Sequence, residues 1–323
     1  MKITITRTAL VAGVAALPLT VLPAQADSLD PYHEPTGLTV FVEGRYLWLS
    51  GARQPWTFND DTQQFSAQRV QHALSGAIGA RYRFSSNWDA GVAYTGAHSR
   101  TKRDSRSGTD CALEPLIGQN ADCYDNGAFK IKQSLDVADF DVGYRMMLGS
   151  RVRVRATAGV RFVYWQQDAE AVHTPYDLNG EKKESNFWGI GPRVGVEAMT
   201  TLFRAGPGHF TLQGSIAGSV LFGRARTQID SLYDDFIATS ETTRKTKAVP
   251  TAEASLGIGY VFPIGNWKAT VLVGYRGEGW WRMVETRTAG PPYASGPDTA
   301  RPIGTRNGNL YQHGPFGRFT IAF

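Results

Sequence analysis

Two adjacent carboxylates, Asp234 and Asp235, are the residues of this 323-residue chain best suited to acid–base chemistry. Such a pair can activate a water molecule for hydrolysis when a substrate lies within hydrogen-bond reach. Neither His98 nor His173 has a defined spacing to them, and adjacent Asp residues in a polar segment are usually solvated turn formers. We therefore predict no enzymatic activity, with hydrolysis as the less favoured alternative.

A glycine-containing segment, Gly189-Ile190-Gly191-Pro192, invites comparison with a phosphate-binding loop. Such loops need a following helix whose N-terminal N–H groups bind the phosphate. The sequence predicts no helix here, and glycine in a strand ordinarily allows a bend or a close approach of neighbouring strands. We predict a strand at this position and no cofactor.

The first 26 residues have the features of an export signal. Lys2 and Arg7 supply positive charge, residues 9–22 are apolar, and Ala24-Gln25-Ala26 resembles a cleavage site. The apolar stretch is shorter than the roughly 20 residues of a membrane-spanning helix. We predict a signal peptide at residues 1–26 and a single domain at residues 27–323.

Export would place Cys111 and Cys123, which lie in one polar segment, in an oxidising compartment. We predict a disulfide between them. Half of a metal site is the alternative, but no nearby His or second Cys pair supports it, so we predict no metal. Without the signal, 32 Lys and Arg residues face 29 Asp and Glu residues, and this net charge of +3 is too weak to indicate nucleic acid.

Apolar and polar residues alternate along most of the chain after residue 26, a pattern that predicts strands with two different faces. In residues 38–48, Val42, Tyr46 and Trp48 share one face, and Glu43 and Arg45 share the other. Residues 152–164 show the clearest alternation. The other stretches are residues 74–84, 88–94, 138–146, 188–198, 210–222, 252–262, 267–275 and 315–323.

These stretches predict about ten strands, and short connections alternate with long connections of roughly 20 to 30 residues. A sheet that spans a membrane must close, because an unpaired backbone group in hydrocarbon is too costly. We predict an all-β fold, a transmembrane antiparallel up-and-down β-barrel of the bacterial outer membrane. It has short periplasmic turns and long extracellular loops, and eight or twelve strands remain open. A large soluble β-protein with an aromatic core is the alternative.

The outward aromatic residues fall near strand ends and predict two interfacial belts that contact outer-membrane lipid and lipopolysaccharide. The belt residues are Tyr82, Phe84, Trp88, Phe262, Trp267 and Phe323 on the turn side, and Tyr46, Trp48, Tyr94, Tyr164, Trp188 and Tyr275 on the loop side. Basic runs at Lys102-Arg103 and at residues 244–247 are expected on exposed loops, where they contact lipopolysaccharide phosphates or are simply solvated.

The inward-facing positions carry many charged residues. The bases are Arg45, Arg81, Arg83, Arg145, Arg151, Arg153, Arg155, Arg161, Arg193, Arg276 and Arg318. The acids are Glu43, Asp89, Asp139, Asp141, Glu197, Glu253 and Glu278. Eleven bases minus seven acids give an interior charge of +4. Rings of Arg favour anions in a narrow pore. Cross-strand pairing that simply fills the interior is the alternative.

We predict a narrow, weakly anion-preferring porin for passive diffusion of ions and small solutes. The expected pore lining is Arg45, Arg81, Arg145, Arg151, Arg153, Arg155, Arg161, Arg193, Glu43, Asp139, Asp141 and Glu197. The alternative is a closed barrel, structural or an adhesin, whose extracellular loops bind a partner.

Residues 139–145, 158–162, 187–195 and 214–223, with Gly191-Pro192-Arg193-Val194-Gly195 as the most distinctive string, resemble the Legionella major outer membrane protein-like family. The resemblance implies an outer-membrane location and a porin-like function, and it supplies no catalytic residues. It leaves covalent oligomers open, and a homo-oligomer is one expected assembly. The C-terminal Phe323 resembles the assembly signal that the barrel assembly machinery reads in bacterial outer-membrane barrels.

Overall fold

A computed structural model of the chain describes residues 37–51, 54–59, 64–99, 101–107, 113–115, 126–149, 152–174, 179–233, 236–289 and 303–323. Its strands are β1 (Leu38–Gly51), β2 (Gln54–Asn59), β3 (Gln64–Gln68), β4 (His72–Arg83), β5 (Trp88–Ser99), β6 (Lys102–Ser107), β7 (Leu113–Pro115), β8 (Asn126–Leu148), β9 (Val152–Thr174), β10 (Asn179–Ala205), β11 (Gly208–Tyr233), β12 (Phe236–Ile264), β13 (Trp267–Ala289) and β14 (Ile303–Ala322). Among these residues, no helix is long and apolar enough to cross a membrane.

Eleven of the strands form one antiparallel sheet that closes on itself, in the order β5-β4-β1-β14-β13-β12-β11-β10-β9-β8-β6, with a further pairing of β5 with β8. Both β5 and β6 pair with β8, in succession, with His98 opposite Ser134 and Lys102 opposite Ile131. The ring therefore has ten positions, and the predicted antiparallel barrel is confirmed. Strands β2, β3 and β7 form a separate small sheet.

Short connections join the strands at one end of the barrel. The β10–β11 and β12–β13 turns have two residues each, and Gly206 and Gly265 at their first positions have φ angles of 56° and 58°. This left-handed conformation favours glycine. The predicted short turns are therefore confirmed at these two places, and this end of the barrel is the periplasmic end.

The outward faces of the strands are apolar, as the alternation predicts. Val42 is 53% exposed and Val194 is 62% exposed, whereas Glu43, adjacent to Val42, is only 5% exposed. Exposed aromatic residues lie at both ends of this apolar band, among them Trp88 and Trp267 on the turn side and Tyr164 and Trp188 on the loop side. We take the strand segments between the two aromatic rows as the membrane-spanning part.

The strands continue well beyond the outer aromatic row, contrary to the expectation of long loops. Strand β9 runs to Thr174 before β10 begins at Asn179, and β11 runs to Tyr233 before β12 begins at Phe236. Outside the membrane the outward face meets water, so it becomes polar, and the apolar residues that remain, such as Phe129 and Ile131, lie on the inner face. We call the parts of β8 to β12 beyond Tyr164, Trp188 and Phe222 the extracellular extension.

A large bulge interrupts β13 in its outer half. Trp280 lies opposite Leu310 and Val284 lies opposite Gly308, so β13 has two more residues than β14 across this interval. Arg282 in the bulge has a φ angle of 62°, and its N–H donates a hydrogen bond to Asn309 Oδ1 at 3.0 Å. Bulges re-aim side chains, and here Met283 and Val284 are both buried although they are consecutive.

Candidate functional site: the barrel interior

The barrel places the predicted interior residues on its inner face. Described and inward-facing are Glu43, Arg45, Arg81, Asp139, Asp141, Arg145, Arg153, Arg155, Arg161, Arg193 and Glu197. Arg151, Cys111 and Cys123 lie outside the described residues, so the predicted disulfide stays a prediction. Arg83 instead donates to the carbonyl oxygens of Ser85 and Ser86, at the periplasmic turn.

One group of charges surrounds Asp89, whose side chain is completely buried. Asp89 accepts hydrogen bonds from Arg145 Nε at 2.7 Å and from Arg155 Nε at 2.9 Å. Arg155 also bonds Asp141 and reaches Glu197 Oε1 at 3.0 Å, and Arg81 Nη2 reaches the same Glu197 oxygen at 3.1 Å. This Asp89 cluster joins strands that are not neighbours in the ring, so its ion pairs cross the interior.

A second group surrounds Glu253, which accepts hydrogen bonds from Arg161 at 3.2 Å, from Arg193, and from Arg276 at 2.5 Å. Arg161 also binds Asp139 through two parallel bonds of 2.7 and 2.8 Å. Bidentate pairs of this kind fix orientation as well as adding energy.

The Glu253 cluster continues through Arg276 to the side chains of β1 and β14. Arg276 lies 2.8 Å from Glu278, and Glu278 Oε1 accepts a bond of 3.0 Å from Arg45. Arg45 and Arg318 both bind Glu43. The two clusters together are called the charged layer, and they contain eight Arg residues and seven carboxylates.

Pairing within the charged layer leaves a surplus of one positive charge. The interior charge of +4 expected from the sequence counts three further Arg residues: Arg83 donates to the periplasmic turn, Arg153 lies in the wall of the interior cavity, and Arg151 lies outside the described residues. Within the charged layer each carboxylate offsets the Arg residues around it, so little net charge remains there.

A cavity of about 230 Å³ lies beside the charged layer, towards the periplasmic turns. Its wall includes Phe41, Arg81, Arg153, Thr157, Glu197 and Arg318. The Glu197 side chain is 42% exposed, although it is enclosed by the barrel, because it faces this space. A ten-stranded barrel lies near the size at which side chains just fill the interior, so a space of this size is what such a barrel can hold.

An apolar layer closes the interior on the extracellular side of the charged layer. Its residues are Leu47, Leu135, Val137, Val163, Trp165, Phe187, Leu221, Val249, Trp280, Met283 and Leu310. Each of them is at most 6% exposed, and Phe187, Leu221 and Val249 have no exposed surface. Ala73 and Ala97 belong to the same packed group, so every position of the ring contributes to it. These side chains therefore pack against one another and have almost no exposed surface.

The apolar layer is absent from the sequence-based prediction, although the sequence contains a signal for it. Its members interrupt the alternation, because an inward apolar residue lies beside an outward one in Val163-Tyr164-Trp165, Phe187-Trp188 and Leu221-Phe222. Consecutive apolar residues in a strand indicate burial on both faces.

The residues considered for acid–base chemistry, metal binding and phosphate binding are either not described or are not grouped into a site among the described residues. Asp234 and Asp235 are not described, and His98 is exposed on β5. The described residues contain no group of three or more His, Cys, Asp or Glu that could hold a metal ion. Gly191 lies in β10, where an added Cβ would meet Val220 O at 1.8 Å, so this glycine allows close strand approach.

A closed antiparallel barrel with an apolar outside, two aromatic rows and a charged interior defines a transmembrane β-barrel protein. The chain matches the model of the family described as Legionella pneumophila major outer membrane protein precursor over residues 36–323, and it therefore belongs to that family. Its location is the bacterial outer membrane. A comparison with curated proteins gives no match.

Solved structures of outer-membrane barrels are similar to the chain at low identity. The outer membrane protease OmpT from Escherichia coli shares 9% identity over 89% of this chain and 96% of its own, with a TM-score of 0.45. A major outer membrane protein from Thermus thermophilus shares 13% over 87% and 99%, with a TM-score of 0.34. OprG from Pseudomonas aeruginosa shares 12% over 71% and 97%, with a TM-score of 0.32. None of these likenesses bears on what the chain does.

Proposed function

We propose that this protein is a narrow outer-membrane channel for ions and small solutes, shut in this structure by the apolar layer. The observation that carries the proposal is the cavity of about 230 Å³ inside the barrel, walled by charged residues and covered by buried apolar side chains. Charged walls suit the passage of ions, whereas an apolar constriction gates a pore by excluding water.

The packing of two Trp residues supports a layer that can open. Trp165 and Trp280 are each 1% exposed, and within the described part of the chain neither indole N–H has an acceptor. A buried N–H without an acceptor costs about 1–3 kcal/mol. Entry of water would supply the acceptor, so these indoles reduce the free-energy difference between the shut and the hydrated layer.

The charged layer supports a weak preference for anions. Its surplus is one positive charge, and the cavity wall adds Arg153. Because the Arg residues of the charged layer are paired with carboxylates, the preference is smaller than rings of unpaired Arg would give. Ions and small solutes fit such a passage, whereas oligosaccharides need the wider lumen of barrels with more strands.

Planar-bilayer recordings of the folded protein in a salt gradient test this proposal. Small discrete conductance steps with a reversal potential displaced towards that of the anion are expected. Heat-modifiable migration on a gel shows that the added protein is folded. A membrane that stays silent with folded protein contradicts the channel.

The extracellular extension, whose strands stay paired beyond the membrane, favours a second function, in which a closed barrel presents a binding surface. Its inner face is packed, since Phe129 and Ile131 are 2% and 1% exposed and Ala171 is fully buried. A preformed surface binds without a large loss of conformational entropy. Deleting residues 168–184 should then abolish binding of cells to a surface partner while the barrel still folds, and unchanged binding would exclude this role for the β9–β10 hairpin.

A further inference from the structure

Three exposed Arg residues share the outer face of β11 and β12 immediately beyond the aromatic row. Arg226 lies directly opposite Arg244, and Arg224 is two residues from Arg226 along β11. Arg224 lies directly opposite Trp188 of β10. We call Arg224, Arg226 and Arg244 the arginine patch.

The spacing within the arginine patch brings three positive charges close together. Directly opposite residues of an antiparallel pair have Cβ atoms about 4.5–5.5 Å apart, and residues two apart along a strand are separated by roughly 7 Å. Like charges that lie directly opposite each other destabilise a sheet. The patch therefore carries an unfavourable charge density that an anion would relieve.

The carboxylates that the structure describes form no ion pair with the arginine patch. Arg226 donates to Gln228 Oε1 at 2.8 Å, and within the described ranges none of the three Arg residues forms an ion pair. The carboxylates on the neighbouring strands have other partners, since Glu184 lies 2.8 Å from Lys182 and Asp168 lies 3.2 Å from Lys132.

The position of the patch identifies the anion that it meets. Trp188 and Phe222, which are 51% and 58% exposed, mark the edge of the lipid-facing surface on these strands. In the outer leaflet, the phosphate groups of lipopolysaccharide lie at this boundary between acyl chains and sugars. Arg binds phosphate through two parallel hydrogen bonds. We propose that the arginine patch binds a lipid A phosphate of lipopolysaccharide.

The strand geometry separates this patch from the other basic residues of the same segment. The sequence run from 244 to 247 is expected on a loop, but it lies within β12 and its side chains alternate. Arg244 points outward, whereas Lys245 Nζ lies 2.9 Å from Glu285 Oε1 and Lys247 Nζ donates to Met283 O at 2.8 Å. Arg244 is the basic residue of this run that faces the lipid headgroups.

Native mass spectrometry of the folded, detergent-solubilised full chain with bisphosphorylated lipid A tests the proposal. The test variant combines Arg226→Gln with Arg244→Gln. The control combines Arg106→Gln with Lys130→Gln, which removes the same charge from two exposed cations that already have carboxylate partners, Asp104 at 3.5 Å and Glu170 at 2.9 Å. Heat-modifiable migration verifies that both variants fold.

The test variant should bind bisphosphorylated lipid A about tenfold more weakly than the wild type, because two charge-assisted hydrogen-bonding groups are lost. The control should stay within about twofold. Dephosphorylated lipid A should bind the wild type and the test variant equally. Equal weakening in both variants, no weakening in the test variant, or wild-type binding of phosphatidylglycerol as tight as that of lipid A would each overturn the proposal.

Discussion

The guanidinium carbon of Arg161 lies 5.7 Å from the centre of the Trp280 ring, where the charged layer meets the apolar layer. Arg161 is held from its other side by Asp139, and both Arg161 and Trp280 are almost completely buried. A cation over a desolvated Trp ring is worth about 2 kcal/mol. The charged layer and the apolar layer are therefore in direct contact, and a substitution in one is expected to affect the packing of the other.

Replacing Asp89 with Asn should strongly destabilise the barrel. The change leaves Arg81, Arg145 and Arg155 around a neutral side chain in the interior. Breaking a buried pair in this way costs about 3–5 kcal/mol. Urea unfolding of the protein in lipid vesicles measures the loss.

The pair of Lys132, which is half exposed, and Asp168, which is 18% exposed, provides the less buried control for Asp89. Asp168→Asn should change the free energy of unfolding by less than about 1 kcal/mol. A loss of the same size in both variants would show that burial of the Asp89 cluster is not what stabilises the barrel.

Replacing Glu197 with Gln should increase anion preference, and replacing Arg81 with Gln should decrease it. Glu197 faces the cavity, and its charge offsets Arg81 and Arg155. Reversal potentials in a salt gradient report both changes, which are expected to have opposite signs. Shifts of the same sign, or none, would place the ion path away from this cavity.

Lys247, at the base of the extracellular extension, should make stability depend on alkaline pH. Burial, which disfavours the charged ammonium, lowers the pKa of Lys247 to about 8 from its ordinary value of 10.5; the nearby Glu285 opposes this lowering, whereas Arg282 and Lys245 add to it. Between these two values the unfolded chain holds a proton that the folded chain has released, so stability rises with pH. The rise should be absent from Lys247→Met.

Urea midpoints measured between pH 8 and 10.5 test the role of Lys247. Lys182→Met is the control, because a hydrogen bond to Glu184 raises the pKa of Lys182 and so produces no such gain in this window. The difference between wild type and Lys247→Met is the informative quantity. A constant difference across the window would contradict the lowered pKa.

Removing the aromatic side chain of Phe323 should impair assembly in cells more than folding in detergent. The Phe323 ring packs edge-on against Trp267 with centroids 5.0 Å apart, and its N–H donates to Leu38 O at 2.9 Å. Phe319→Ala, an outward change on the same strand, is the control. The yield of heat-modifiable barrel in the outer membrane measures assembly, and equal yields for the two variants would remove the proposed role of Phe323.

The face of each strand can be predicted from sequence far better than the partners of its side chains. Lipid selects apolar residues such as Val42 and Val194 at every second position, so alternation identifies the outward side. Ion pairs such as Arg45 with Glu278 and Arg161 with Glu253 join strands that are not neighbours. No local spacing predicts such pairs, because they depend on closure of the ring and on its diameter.

Two further features of the fold cannot be predicted from the alternation of apolar and polar residues. The sequence predicts loops for the extracellular extension because its outward face is polar, yet its backbone pairing continues to the ends of β9 and β11. The burial of Met283 beside Val284 depends on the bulge at Arg282, whose left-handed conformation has no signal in the residue type.

Single-channel conductance of Trp280→Ala, compared with that of Trp267→Ala, tests whether the apolar layer shuts the channel. Trp280 is 1% exposed within the apolar layer, whereas Trp267 is 46% exposed on the lipid-facing side. If the apolar layer shuts the channel, Trp280→Ala should open more often and conduct more than the wild type, and Trp267→Ala should match the wild type. Equal behaviour of the two variants, both folded, would contradict a gate at this layer.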